Sequence, residues 1–209
     1  MRSLRHLALI LFALGALATA APAFAAGGNY TFEGGTAKEQ NTVKSALNAS
    51  AFDWSLVPQQ IAIHIAPGIS SEAMLGEIWL DSNLLDAGIF SWGVVQHEYA
   101  HQVDFFLLDG AKRQVLETAL GARDWCYSVA GLAHAQYGCE RFASTLAWAY
   151  WPNAQNSMKP SGSQDESAAM TPAKFRDLMG LMIGAPTTVP TVKVTAYAPK
   201  RKKPAAHKK

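Results

Sequence analysis

Gln96-His97-Glu98-Tyr99-Ala100-His101-Gln102 is the stretch on which the reading of this chain turns. Its two histidines stand four positions apart, and on a helix such residues lie one turn apart on the same face. Two imidazoles so placed aim at one point and can share a metal ion, leaving positions for water and a third protein ligand. Glu98, beside the first histidine, is placed to take a proton from water held at that metal. The plain alternative is a pair of histidines on a buried helix face. Histidine is scarce, six in 209 residues, so the spacing is an uncommon coincidence and the metal reading is preferred.

Outward from the stretch, the spacing predicts a helix from about Ser91 to Leu108, stopped by Asp109-Gly110. Val94, Val95, His97, His101, Phe105 and Leu108 form its inward stripe. Asp104 falls near the histidine face, where it could fix a ligating imidazole's tautomer or simply be an exposed helical acid. Upstream, Gly76 to Leu80 reads as a strand, and so does Ile61 to Ala66, with its alternating branched residues. His64 in that strand is a candidate third ligand, although a lone strand histidine is more often structural. Thr36-Ala37-Lys38-Glu39 has capping-box spacing for a helix to about Asn48. Gly27 to Gly35 reads as a flexible lead. Downstream, Ala111 to Leu120 is a short helix closed at Gly121. Thr171-Pro172 starts a last helix to Gly184, with Phe175, Leu178, Met179 and Met182 expected to pack on the metal helix. Asn153 to Ser167 is a polar loop.

The ends bound the problem differently. Arg2, Arg5 and His6, the apolar run Leu7 to Leu17, and Ala23-Phe24-Ala25 have the three parts of a secretory signal peptide over residues 1–25. The run is too short to span a bilayer; an uncleaved anchor is the alternative. The mature protein is therefore expected to be soluble, exported and free of transmembrane segments, with one domain over 26–190. From Ala26 to Lys193 ten basic residues face sixteen acidic ones, a net of −6. From Val194 onward six basic residues stand with no acid, a net of +6. The overall +2 thus conceals an acidic body and a basic tail, expected to be disordered over 191–209. In an exported protein such a tail meets an anionic cell-surface polymer or membrane rather than nucleic acid, or merely solubilises.

Cys126 and Cys139 are the only cysteines, which in an exported chain argues for one disulfide. The loop it closes is worth about 3 kcal/mol in the chain-entropy model. Glu140 follows directly and opens a helical pattern that ends at Trp151-Pro152. It is the only acid between Asp124 and Pro152, and a buried carboxylate needs a cation partner. Zinc is one candidate; Arg141 and solvent are others.

These residues carry a family resemblance. His97-Glu98-x-x-His101 with a downstream helical glutamate resembles the gluzincin class of zinc metallopeptidases. The closer similarity is to the catalytic domain of the anthrax lethal factor and Pro-Pro endopeptidase group. The HE(F/Y)xHxxD helix of that group is matched by His97 to Asp104, and its E-x-F-A stretch by Glu140-Arg141-Phe142-Ala143. The resemblance runs from about Ile61 to Trp151, and only those two motifs are specific. It implies an α+β, mostly helical zincin-like domain with a small sheet, one zinc on His97, His101 and Glu140, and Glu98 as general base. It further implies a peptide or protein substrate lying along the strand near Gly76 to Leu80.

Two departures stand out. The group's transition-state tyrosine, seven residues before the ligand glutamate, is replaced by Ala133. Tyr137 is the first choice of substitute and His134 the second, with Tyr127 also near. Ser144 stands where thermolysin-like relatives carry an acid. The competing expectation is a non-catalytic exported surface-binding protein with a structural zinc and one disulfide, which a fourth ligand would favour.

Overall fold

The computed structural model describes residues 27–189. The signal-peptide reading of residues 1–25 and the readings made of the basic tail lie outside the described residues. The glycine-rich lead is more than a connector, because Tyr30–Gly34 forms a strand, β1. Tyr30 and Phe32, two apart and so on one face, meet edge-on with centroids 5.3 Å apart, and Tyr30 also reaches Tyr99. These aromatics override the local glycine signal. Helix α1 (Ala37–Ala49) starts at the expected capping box: Thr36 and Glu39 each accept the other's backbone N–H. Val43, Ala46 and Leu47 face the core.

Strand β2 (Ile61–Ala66) alternates buried and half-buried residues, as its period-2 pattern predicts. It is followed by β3 (Glu72–Met74), β4 (Glu77–Asp81) and the short helix α2 (Ser82–Leu85). The sheet order is β1-β2-β4-β3, parallel except for β3, which pairs antiparallel to β4 at the edge. The sequence reading missed β3, whose three residues carry no hydrophobic alternation. It follows that β4 is an inner strand paired on both sides, so an extended peptide cannot align with it directly. The cleft-side edge belongs to β3.

Helix α3 (Trp92–Leu107) carries the histidines, and every residue from Val95 to Asp104 is buried. A helix buried all round lies in the centre of its domain; α1, β3 and α5 (Gly138–Tyr150) pack against it. Gln96 Nε2 donates to the Ala46 carbonyl at 2.7 Å, while Gln96 Oε1 and the Tyr99 hydroxyl are buried without a partner. Helix α4 (Gly110–Ala119) is capped by Asp109. Helix α6 (Pro172–Ile183) ends at Gly184 in the left-handed region, with φ 70°. It packs on α5 rather than on the metal helix as expected, with Phe175 against Phe142 and Arg176 Nη1 donating to the Ala149 carbonyl. An apolar face shows that a helix is covered, and not by which neighbour. The fold is α+β, mostly helical with a small mixed sheet. Among the described residues no helix is long and apolar enough to cross a membrane.

Candidate metal centre

Helices α3 and α5 bring His97, His101 and Glu140 together, all three less than 8 % exposed. His97 Nε2 lies 3.2 Å and His101 Nε2 3.4 Å from Glu140 Oε2, and the two imidazole nitrogens are 3.2 Å apart. One donor atom from each residue falls within 4.8 Å of the others. This cluster can hold a metal ion. Two imidazoles and one carboxylate suit a borderline divalent cation. The carboxyl of Glu140 is held well below the usual range: burial opposes its charge, but the bonds from His101 and His97 outweigh it. A divalent cation would replace those imidazole protons.

The outer contacts choose the tautomer. His97 Nδ1 is 3.0 Å from Ser144 Oγ, which in turn donates to Glu166 Oε2 at 2.6 Å. Since the hydroxyl proton goes to Glu166, His97 donates from Nδ1, and a cation that displaced its Nε2 proton would meet the Nε2 lone pair. The acid missing at position 144 is thus supplied through the serine by Glu166. The polar loop that carries Glu166 gave no sequence signal, because its partner lies 22 positions away in the chain. Asp104 has a different task from the one expected of it. Its Oδ1 accepts from Arg113 Nε at 2.8 Å and its Oδ2 from Trp125 Nε1 at 3.2 Å. Spacing could place Asp104 near the histidines but could not foresee these partners.

The disulfide joins Cys126 to Cys139 across 5.5 Å between Cα atoms, so neither sulfur is free to ligate. It holds Tyr127 against the cluster in a left-handed conformation, φ 58°, the only positive φ outside glycine among the described residues. Such strain in a bulky residue is sustained only where the surroundings fix it. Tyr127 Oη donates to Glu140 Oε1 at 2.6 Å. His134 bridges two carboxylates, with Nε2 3.3 Å from Glu140 Oε2 and Nδ1 2.5 Å from Glu166 Oε1. The Glu166 bond leads in holding its pKa above the ordinary value, against the effect of burial. Tyr137 is placed elsewhere: its hydroxyl donates to the Val129 carbonyl, and its ring lies under Tyr127 at 4.2 Å. His64 is not part of the cluster; it stacks on Trp79 beside Glu33.

The centre opens into a cleft of about 800 Å³. Glu98 lines it, 6 % exposed, its pKa raised by burial although His97 and His101 oppose the shift. Met74 and Leu75 of the β3–β4 hairpin, Tyr127, His134 and Glu166 complete the walls. His134 groups with Glu140 and Glu166 rather than with the histidine pair, and His97, His101 and Glu140 all line the cleft. Comparison of the chain with protein-family models, curated proteins and solved structures returns no match in any of the three.

Proposed function

We propose that this chain is a zinc-dependent endopeptidase. One observation carries the reading: Glu98 lines the same cleft as the buried cluster of His97, His101 and Glu140. A structural site closes on four protein ligands and has no use for a neighbouring base. Zinc, when bound, supplies a Lewis acid and lowers the pKa of bound water towards neutrality. Glu98, its basicity raised by burial, takes the proton of the attacking water and returns it to the leaving amine. Tyr127 Oη and His134 Nε2 both point to Glu140. Both line the cleft with Glu98, and they are the donors this reading gives to the negative charge that develops on the substrate carbonyl oxygen. Glu166 orients His134 directly and His97 through Ser144. Strand β3 is the sheet edge that lines the cleft, where an extended peptide would add by backbone pairing. The disulfide supports an oxidising, extracytoplasmic setting.

The test profiles a peptide library with metal-loaded wild type and the Glu98→Gln variant in parallel, after metal analysis of both. One zinc in each protein and cleavage by the wild type alone is the expected result. Equal behaviour of the two proteins towards every peptide would sink the proposal.

A further inference from the structure

Gln102 directly follows the second histidine and is fully buried. Its amide is committed to one feature, the turn between β3 and β4. Oε1 accepts from the Gly76 N–H at 2.9 Å, while Nε2 donates to the Met74 carbonyl at 2.8 Å and the Glu77 carbonyl at 3.0 Å. Only Leu75 and Gly76 separate the paired residues Met74 and Glu77. Gly76 has φ 83°, but Leu75 is not in the positive-φ region. Two-residue hairpin turns that match the strand twist need positive φ at their first central residue; the other kinds splay the strands. This turn therefore fits its own hairpin poorly, and the three residues of β3 give it little ladder to lean on. Three hydrogen bonds from α3 supply from outside what the turn lacks.

The clamp presents two unusual side chains. Met74 is 62 % and Leu75 65 % exposed, apolar residues at a hairpin tip that line the cleft together with His97 and His101. Phe105 and Met158 add to the same lining. An apolar wall beside a polar reacting centre favours a ligand that places an apolar group there. We propose that Gln102 is a specificity-positioning residue. It fixes the Met74–Leu75 tip beside the metal helix, so that the cleft selects extended peptides with a bulky apolar side chain next to the scissile bond. The proposal rests on the peptidase reading.

Two variants and two measurements test it. Gln102→Met keeps the bulk and removes all three bonds; hydrogen exchange at residues 73–77 should quicken while α3 stays protected. Leu75→Ser changes an exposed residue and should fold normally. In both, the kcat/KM ratio for Leu- or Phe-containing peptides over their Ala counterparts should fall about tenfold, mainly through KM, as loss of an apolar contact does. Zinc content should stay at one per chain. An unchanged ratio in Leu75→Ser overturns the substrate assignment, and unchanged exchange in Gln102→Met overturns the clamp. Metal-loaded wild type that cleaves no peptide is a separate result. It overturns the peptidase reading and the substrate assignment with it, while exchange still judges the clamp.

Discussion

At the scale of single residues, the proposed function divides the cluster into groups that would hold an ion and groups that would act beside it. His97→Ala, His101→Ala and Glu140→Ala should each abolish tight zinc binding, measured by metal analysis after dialysis. Glu98→Gln should keep the metal and lose about 10²–10⁴ in kcat, the usual contribution of a positioned acid–base group. The proposed function gives the oxyanion-donor role to Tyr127 and His134, since the Tyr137 hydroxyl is taken by the Val129 carbonyl. Tyr127→Phe should therefore lower kcat by about 10²–10³ with little change in KM. Tyr137→Phe should cost less, acting only through the ring it supports; the reverse order would return the role to Tyr137. Glu166→Gln should weaken zinc binding about 10–100-fold, as loss of an outer-shell partner does. Titration against a competing chelator measures this, and an unchanged affinity would remove Glu166 from the chain that runs through Ser144.

At the scale of elements, the centre is a joint between α3 and α5, and the disulfide loop is its third wall. Cys139 lies in the first turn of α5 next to Glu140, and Cys126 directly precedes the strained Tyr127. Asp104 reinforces the same loop from α3 by accepting from Trp125. Reduction should thus free Tyr127 before it melts the domain. Peptide cleavage is expected to fall at reductant levels that leave far-ultraviolet circular dichroism unchanged, with a stability loss of no more than about 3 kcal/mol in denaturant titrations. Activity that survives complete reduction would show that Tyr127 needs no tether. Boundaries of α1, α3 and α5 were legible in the sequence because caps and stop signals are local: the Thr36 box, Asp109-Gly110 and Trp151-Pro152. Strand β3 was not legible, since a three-residue edge strand exists only through its partner.

At the scale of the whole molecule, a cation held by His97, His101 and Glu140 would tie together two helices from distant parts of the chain. Removing the metal with a chelator should lower Tm, because a ligand bound only by the native state adds about 4 kcal/mol at a thousandfold excess over Kd. Scanning calorimetry with and without chelator checks this, and an unmoved Tm would argue against a bound metal in the folded protein. By itself the sequence determined what local chemistry can encode. The His97–His101 pair is fixed by helical period, the candidate Glu140 by its isolation among apolar residues, and the Cys126–Cys139 bond by cysteine count. Only the tertiary structure decided which groups meet them: Glu166 behind Ser144, Tyr127 and His134 on Glu140, Arg113 on Asp104, and Gln102 under the hairpin. Each of these contacts joins segments 9 to 28 positions apart, except the His134 approach to Glu140, which turns on a loop conformation set by the disulfide. Periodicity assigns a side chain to a face; packing chooses what stands opposite, and that choice places the groups around the metal ligands.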